Sequence, residues 1–183
     1  SIFDTLVEHN LIVKENLYVE KKDDLNFKNK LYFHALGLNG NALAKEFADT
    51  TFVIVGCGGI GNFISFAIGS LSPRKIELID GDKIEKSNLN RQFLFTANDI
   101  GKNKVDVLKK NLVERNNKLS ISEYKEYVSK EVLHNIFEQN KKNKTLVILS
   151  GDSFSALSLT AKACVKSEIP FLNIGYLNDI SAI

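Results

Sequence analysis

The chain contains little of what zinc-binding and nucleophilic sites require. Its 183 residues include no methionine, no tryptophan, two cysteines and three histidines. Cys57 and Cys164 lack the Cys-x-x-Cys spacing of a zinc site, so both are predicted to be reduced packing thiols in a cytoplasmic protein. His9, His34 and His134 are isolated, and no Ser/His/Asp or Cys/His set is evident. The sequence therefore predicts neither a zinc site nor a catalytic triad.

An excess of one charge is also absent. The 24 lysines and arginines nearly balance the 22 aspartates and glutamates, which leaves a net charge of +2. Such a small charge gives no reason to expect nucleic acid or a membrane as a partner. The sequence contains no transmembrane run, signal peptide or internal repeat. With 44% hydrophobic residues and two prolines, the chain is predicted to form one core of ordinary domain size.

Hydrophobic patterning predicts alternating strands and helices. β-Branched and aromatic runs alternate with segments in which apolar residues recur at helical spacing. The predicted strands lie near residues 51–56, 75–80, 119–126, 144–149 and 170–174, and the predicted helices near 59–71, 101–116, 129–140 and 153–167. This order predicts an α/β fold: a Rossmann-like, doubly wound, mainly parallel sheet with helices on both faces. Segment 82–100 is long for a connection and is predicted to be a functional loop.

A glycine-rich turn follows the first predicted strand. Gly56-Cys57-Gly58-Gly59-Ile60-Gly61 separates the apolar run 51–55 from a helical pattern. Gly56, Gly58 and Gly61 match a dinucleotide-binding fingerprint, whose glycines allow a tight turn, close approach of phosphates and packing of the helix on the strand. The start of such a helix offers backbone N–H groups to phosphates. Glycines needed for packing alone remain the alternative interpretation.

Charged residues after the second predicted strand favour ATP over NAD. Asp80 ends this strand, at a position where an acid can bind ribose hydroxyls. Arg91, Lys102 and Lys104 follow, and nicotinamide chemistry has no triphosphate charge for such cations to neutralise. These cations therefore predict a triphosphate site. A solvated surface arginine remains the alternative at Arg91.

Another acidic residue follows the fourth predicted strand. The apolar run 145–149 ends in Ser150-Gly151-Asp152, which places the Asp152 carboxylate at the carboxyl edge of the sheet. A carboxylate that faces nucleotide phosphates is a natural Mg²⁺ ligand. The alternative is a helix N-cap formed by Asp152 or Ser153, and the two roles are compatible for neighbouring residues.

Four motifs, in order and spacing, resemble the ThiF/MoeB family, which is related to the ubiquitin-activating (E1) enzymes. They are Gly56 to Asn62, Asp80-Gly81-Asp82, Ser87-Asn88-Leu89-Asn90-Arg91-Gln92 and Asp99 to Lys104. Within this family the chain is most similar to the MccB type, which adenylates the C-terminus of a microcin C precursor peptide. The similarity to that type rests on Gly56 to Asn62, Gly101 to Lys104 and residues 175–180. The resemblance covers about residues 48–183 and reaches the first part of the chain only loosely.

The resemblance implies an activity, its cofactors and its site. The implied activity is that of an ATP- and Mg²⁺-dependent adenylyltransferase, a homodimer that converts the C-terminal carboxylate of a peptide or small ubiquitin-like protein into an acyl-adenylate. This carboxylate is ionised near neutral pH, so no general base is needed. By the resemblance, Asp80 binds the ribose, Asp152 holds magnesium, and Asn88, Arg91, Gln92 and Lys104 line the phosphates. The implied nucleotide site comprises Gly56, Gly58, Gly59, Gly61, Asp80, Asp82, Asn88, Arg91, Gln92 and Lys104, and the implied catalytic residues are Arg91, Lys104 and Asp152.

One motif of the family is missing upstream of the glycine turn. Family members carry an Arg-Tyr-x-Arg-like segment whose second arginine reaches the partner protomer's ATP, but this chain has no arginine before Arg74. The corresponding stretch has Phe27 in place of the tyrosine and Asn29 in place of the arginine. Lys28 and Lys30 lie beside them, but lysine cannot reproduce bidentate phosphate binding. A catalytically weak or silent peptide-binding scaffold is therefore the second hypothesis. An NAD-dependent oxidoreductase, supported by the glycine fingerprint and the acidic strand end alone, is the third.

Residues 1–24 differ in character from residues 25–183, which we predict to be the ATP-binding adenylation domain. Their apolar residues predict a short helix followed by a strand or hairpin within residues 11–19. In MccB-like proteins a small winged-helix-like module that clamps the peptide precedes the activating domain. Residues 1–24 are either a remnant of such a clamp or an arm that packs on a dimer partner.

Relatives often carry paired zinc cysteines downstream. Their absence predicts either a different build or a chain cut short at Ile183, and the absence of methionine predicts a processed chain or a fragment.

Overall fold

Five parallel strands form the central sheet of the computed structural model, which describes residues 2–9, 11–12, 24–177 and 180–182. The strands are β1 Thr50–Val55, β2 Lys75–Ile79, β3 Ile121–Tyr124, β4 Lys144–Leu149 and β5 Phe171–Asn173. Their order is β3-β2-β1-β4-β5, so the chain moves from β1 to one side and then returns to its other side at β4. This confirms the predicted doubly wound parallel sheet. It also places the topological switch point, where open α/β sheets bind ligands, between β1 and β4.

Strand β1 lies at the centre because its residues are apolar on both faces. Phe52 and Ile54 pack into one core, and Val53 and Val55 pack into the other. All four side chains are buried, as expected for an inner strand of a parallel sheet with helices on both sides. The continuous apolar run in the sequence therefore predicted the strand, and it explains the strand's central place.

Helices cover both faces of the sheet. α4 Gly59–Ser70 and α5 Lys104–Arg115 pack on one face, and α6 Lys130–Gln139 and α7 Phe154–Lys166 pack on the other. Each core contains one cysteine, Cys57 in the first and Cys164 in the second, and both are free thiols. Burial raises the pKa of Cys164 to about 11 and that of Cys57 well above its ordinary value. Both are therefore inert packing thiols, as predicted.

Two helices before the sheet, α2 Phe27–Ala35 and α3 Gly40–Asp49, were not predicted from the sequence. Stacked rings join them to the sheet: Phe33 lies 6.1 Å from Phe47, which lies 5.9 Å from Phe52, between ring centroids. Helix α2 has no buried residue, so its sequence lacks the apolar stripe by which a core-facing helix is recognised.

The two ends of the chain and the long loop complete the fold. A helix, α1 Ile2–Glu8, lies where a short N-terminal helix was predicted. Of residues 11–19, where a strand or hairpin was predicted to follow, all but 11 and 12 lie outside the described residues. The connection after β2 is irregular, as predicted, with short 3₁₀ turns at Lys86–Asn88 and Ala97–Asp99. An antiparallel pair that was not predicted, β6 Gly175–Leu177 and β7 Ile180–Ala182, follows β5. Among the described residues, no helix is long and apolar enough to span a membrane.

Candidate functional site

The glycine turn after β1 is so closely packed that two of its positions exclude a side chain. Gly56 has a φ of +91°, and a Cβ there would lie 3.0 Å from the backbone nitrogen of Gly151. A Cβ at Gly61 would lie 1.9 Å from the carbonyl oxygen of Gly56. The turn and the packing of α4 therefore require both glycines. The same contact brings the loop after β4 against the loop after β1, at the switch point of the sheet.

Gly58 and Gly59 face the loop that follows β2. A Cβ at Gly58 would lie 3.9 Å from Nε2 of Gln92, and a Cβ at Gly59 would lie 3.3 Å from Cγ of Arg91. Gly58 leaves room beside the first turn of α4, where backbone N–H groups can bind an anion, and the missing side chain of Gly59 lets Arg91 pass. Packing thus explains Gly56 and Gly61, while the room at Gly58 fits the phosphate interpretation.

Asp80 ties the end of β2 to the glycine turn. Its Oδ2 accepts a hydrogen bond from the backbone N–H of Cys57, and its Oδ1 accepts one from the backbone N–H of Asp82, both at 2.7 Å. Burial raises the pKa of the Asp80 carboxyl above its ordinary value, although these two N–H donors and the Lys104 charge act in the opposite direction. The carboxylate is thus fixed at the carboxyl edge of the sheet before any ligand arrives.

A cavity of about 340 Å³ opens at this edge of the sheet, which is within the size range of small-molecule sites. Its walls come from the ends of β1, β2 and β4 and from the starts of the segments that follow them. The lining residues are Val55, Gly56, Ile79, Asp80, Asp82, Tyr127, Val128, Gly151, Asp152, Ser153, Ser155, Ala156 and Leu159. A larger cavity of about 850 Å³ lies at the opposite edge of the sheet, but it contains none of the predicted site residues. The chemistry of the lining therefore favours the smaller cavity as the site.

Asp152 lies at the rim of this cavity with an exposed carboxylate. The N-cap of α7 is Ser153, whose hydroxyl accepts a hydrogen bond of 3.4 Å from the backbone N–H of Ala156. The capping role thus belongs to Ser153, and the Asp152 carboxylate is available to a cation. No group of three or more metal-ligating side chains occurs in the part of the chain that the structure describes. A magnesium ion here would therefore take most of its ligands from nucleotide phosphates and water, as Mg²⁺ usually does.

The loop after β2 presents two of its three predicted phosphate ligands toward the glycine turn. Arg91 passes over Gly59, and its exposed guanidinium donates hydrogen bonds of 3.1 Å to the carbonyl oxygen of Ser87 and to Oδ1 of Asn90. Gln92 is 1% exposed, and its Oε1 has no hydrogen-bond partner among the described residues. Because an unpaired buried oxygen is costly, this amide is poised to accept a hydrogen bond from a ligand or a water.

Asn88, the third predicted ligand in this loop, has a structural contact of its own. It is 7% exposed, and its Oδ1 accepts a hydrogen bond of 3.0 Å from the backbone N–H of Glu85. This bond is part of a reciprocal cap around the 3₁₀ turn Lys86–Asn88. The side chain thus shapes the loop that carries Arg91, and phosphate binding by its amide remains a prediction.

Lys104 is a buried cation at the start of α5. Its side chain is 8% exposed, and its Nζ lies 2.7 Å from Oδ2 of Asp82. The other oxygen of Asp82 accepts a hydrogen bond of 2.7 Å from the hydroxyl of Tyr127. Lys104 and then Tyr127, as hydrogen-bond donors, lower the pKa of Asp82, so this carboxyl is ionised at neutral pH. The fold therefore brings a predicted phosphate ligand to the edge of the cavity, paired with an acidic residue that lines it.

The stretch that replaces the family's arginine motif lies at the other end of α4. Nδ2 of Asn29 donates a hydrogen bond of 3.3 Å to the carbonyl oxygen of Ser70, the last residue of that helix. Helix α4 has 12 residues, which corresponds to a length of about 18 Å. Asn29 is therefore too far from the glycine turn to contact a nucleotide bound to its own chain.

Tyr127 is the functional candidate that the sequence analysis missed. It follows β3 in an irregular connection, and no spacing rule distinguishes it from other exposed tyrosines. Its position after a parallel strand was the one available clue, since such positions face the ligand edge of the sheet.

Comparisons with known proteins identify the family of this chain. The sequence model of the ThiF family matches residues 28–178. The chain belongs to the ThiF family. The match begins before residue 48, where the motif resemblance began, and so takes in most of α2 and all of α3.

Relatives of this ThiF-family chain include two kinds of protein. Ubiquitin-activating enzyme E1 1 of Candida albicans is 32% identical over 154 residues, which are 80% of this chain and 15% of that protein. tRNA threonylcarbamoyladenosine dehydratase of Bacillus subtilis is 26% identical over 144 residues, which are 76% of this chain and 56% of that protein. The resemblance to E1-like enzymes is thereby confirmed.

Solved structures of E. coli MccB, a microcin C7 biosynthetic enzyme, resemble this ThiF-family chain along nearly all of its length. The complex with AMPCPP and MccA is 33% identical with a TM-score of 0.85, and it covers 98% of this chain and 51% of the MccB chain. The complex with ATP is 34% identical with a TM-score of 0.83, and it covers 98% and 52%. The chain thus spans about half the length of MccB, and the predicted similarity to that type is confirmed.

Proposed function

We propose that this chain is the nucleotide-binding part of an ATP-dependent adenylyltransferase that activates a C-terminal carboxylate as an acyl-adenylate. One observation carries the proposal. The cavity that contains Asp80 and Asp152 is also lined by Asp82, which pairs with the cation Lys104, and Arg91 passes over Gly59 of the adjoining glycine turn. Membership of the ThiF family and the likeness to MccB, whose structures contain ATP or AMPCPP, support the same conclusion.

The reaction needs charge and positioning more than proton transfer. An ionised carboxylate oxygen attacks the α-phosphorus of ATP and forms a P–O bond. The bond between the α-phosphorus and the oxygen that bridges to the β-phosphorus breaks, and pyrophosphate leaves. Arg91 offers a planar fork of donors and Lys104 a point charge to the phosphates. Both cations are held by neighbouring oxygens in this structure, Arg91 by Ser87 and Asn90 and Lys104 by Asp82. Nucleotide binding would exchange these partners for phosphate oxygens.

The carboxylate of Asp152 would hold a magnesium ion against the phosphates. When bound, Mg²⁺ would supply charge neutralisation for the pyrophosphate leaving group. Because Ser153 caps α7, the carboxylate of Asp152 can turn toward the cavity without loss of the cap. Two serines, Ser153 and Ser155, line the same rim and can bind water in the coordination shell.

We further propose that the substrate is a peptide or a small ubiquitin-like protein that presents its C-terminus, and that the reaction takes place in the cytoplasm. MccB has been solved with the peptide MccA, and the Candida relative is a ubiquitin-activating enzyme. The likeness in structure to MccB extends over 98% of this chain, which favours a short peptide of the microcin precursor type.

We also propose a homodimer in which the exposed aromatic face of α4 meets its symmetry mate. Phe63 on α4 is 58% exposed and packs edge-on against Phe93, which is 51% exposed. Such paired exposed rings favour a protein contact. Asn29 lies at the C-terminal end of the same helix, so an antiparallel α4 pair would bring it to the glycine turn of the partner. An asparagine there, in place of the family's arginine, favours the second hypothesis, a weak or silent peptide-binding scaffold.

Exchange of labelled pyrophosphate into ATP tests the proposed reaction. We would use a library of random peptides with free C-termini and the same library with C-terminal amides, at fixed Mg²⁺ and ATP. The account predicts exchange with the free acids and none with the amides, because the amides lack the nucleophile. ATP binding without exchange in either library, or a lack of ATP binding, would contradict the proposed reaction and support the silent scaffold.

A further inference from the structure

Tyr127 is an exposed aromatic side chain that is held in one orientation. Its side chain is 72% exposed, although two contacts restrain it. Its hydroxyl donates a hydrogen bond of 2.7 Å to Oδ1 of Asp82, and its ring carbons lie 3.1 and 3.2 Å from the point where a Cβ on Gly81 would be. Any residue with a side chain at position 81 would displace the ring. Gly81 and Asp82 therefore fix the tyrosine at the mouth of the cavity.

The lining of the cavity that Tyr127 joins combines apolar side chains with carboxylates. Val128, Ala156 and Leu159 supply apolar surface, and Asp80 and Asp152 supply the carboxylates. A nucleoside matches this combination, since its base is flat and aromatic and its sugar carries hydroxyls. An aromatic ring with low conformational freedom is well suited to stack on a base.

Asp82 connects this ring to the cation on the phosphate side. One of its oxygens accepts from Tyr127 and the other lies 2.7 Å from Nζ of Lys104. The carboxylate is acceptor-only and negatively charged, so it repels phosphates and cannot bind them directly. Its two oxygens instead set the positions of two side chains, Tyr127 on one oxygen and Lys104 on the other.

We infer that Tyr127 contacts the base of the bound nucleotide and that Asp82 is the positioning residue that holds Tyr127 on the nucleoside side and Lys104 on the phosphate side. This inference rests on the proposed nucleotide binding. It assigns the two ends of the ligand to different side chains, so the two ends can be tested with separate probes.

The test uses displacement of a fluorescent ATP analogue by adenosine, which probes the base side, and by inorganic tripolyphosphate, which probes the phosphate side. Tyr127→Ala is expected to weaken adenosine binding about tenfold, because a base–aromatic stack is lost, and to leave tripolyphosphate binding unchanged. Tyr127→Phe keeps the ring but lacks the hydroxyl. Its affinity for adenosine should therefore fall less than that of Tyr127→Ala.

Asp82→Ala should change the affinities for adenosine and for tripolyphosphate in opposite directions. Adenosine binding weakens because Tyr127 loses its anchor, while tripolyphosphate binding strengthens severalfold because Lys104 loses a competing anionic partner. A role in folding alone would weaken both. Asp106→Ala is the matched control, since Asp106 also forms a carboxylate–lysine pair, 2.9 Å from Lys125, away from the cavity. Asp106→Ala should leave the affinity for both probes unchanged.

The outcomes separate this inference from the proposed function. If the unmodified chain does not bind ATP, both fail. If it binds ATP and Tyr127→Ala binds adenosine as tightly as the unmodified chain, the role of Tyr127 is overturned while the proposed function stands. If Asp82→Ala weakens the binding of both probes, or of neither, the positioning role of Asp82 is overturned. Thermal melting of each variant shows whether a loss reflects unfolding.

Discussion

Oδ2 of Asp80 accepts a 2.7 Å hydrogen bond from the backbone N–H of Cys57, which ties the end of β2 to the glycine turn that follows β1. The second oxygen accepts from the backbone N–H of Asp82. One buried carboxylate thus shapes both the turn beside α4 and the segment that leads to the basic loop. The residue assigned to the ribose by family resemblance also holds the two halves of the site together.

Asp80→Ala should therefore destabilise the protein as well as weaken ATP binding. Two backbone N–H groups lose their acceptor, which costs about 1–3 kcal/mol in the free energy of unfolding. Asp80→Asn retains one acceptor oxygen and should cost less. Urea unfolding measures the effect, and Asp106→Ala is the surface control. Equal stability of Asp80→Ala and the unmodified chain would show that these hydrogen bonds contribute nothing to the fold.

Alanine substitutions in the glycine turn should show which glycine is needed for stability and which for ATP binding. Gly61→Ala places a Cβ 1.9 Å from a carbonyl oxygen and is expected to cost at least about 2 kcal/mol in the free energy of unfolding. Gly58→Ala meets its nearest atom at 3.9 Å, so it should cost no more than about 1 kcal/mol while it weakens ATP binding. The prediction fails if Gly58→Ala is the less stable variant in urea unfolding.

Asp99 should make stability depend on pH in the acid range. The hydrogen bond from Lys102, and then that from the Thr96 hydroxyl, lowers the pKa of Asp99 to about 2. The ionised form therefore stabilises the folded state, and this stabilisation is present above the ordinary pKa of 3.8 and lost as pH falls toward about 2. The difference in urea midpoint between the unmodified chain and Asp99→Asn should be largest at pH 6 and shrink below pH 4. A difference independent of pH would contradict the assignment.

Asn29→Arg should raise the rate of pyrophosphate exchange if the protein works as a dimer of the proposed kind. An arginine at this end of α4 would supply a bidentate phosphate ligand to the partner's site, an effect of about tenfold. Lys28→Arg, one residue away, is the control. An unchanged rate for Asn29→Arg would count against the proposed arrangement of the two copies.

The three inner strands β2, β1 and β4 were predictable because they are short, mostly apolar runs followed by Asp80, Gly56 and Ser150. The run 51–55 predicted β1, and Gly56 and Asp80 marked the carboxyl edge of the sheet. Helix α2 could not be predicted in the same way, whereas α3 follows an N-cap residue, Asn39, that the sequence does show. Helix α2 buries no residue, so its apolar side chains give no periodic pattern against which to recognise it.

Side-chain partners in the site were harder to predict than its location. The motifs brought Lys104 and Asp82 into the candidate list, but the pairing of these residues, 22 positions apart, depends on the crossing of two loops. Glu77 shows the same limit inside the core. It is fully buried yet paired with Lys75 at 2.8 Å and with Asn140 at 3.1 Å, and nothing in the strand's sequence indicates that distant asparagine.

Calorimetric titration with ATP and with NAD, each with and without Mg²⁺, tests the central claim most directly. The unmodified chain should bind ATP more tightly than NAD and in a Mg²⁺-dependent manner, because Arg91, Lys104 and Asp152 match a triphosphate with its metal. Arg91→Ala should weaken ATP binding by about tenfold or more, as expected for the loss of charge-assisted hydrogen bonds. A preference for NAD, or ATP binding indifferent to Arg91, would contradict the account.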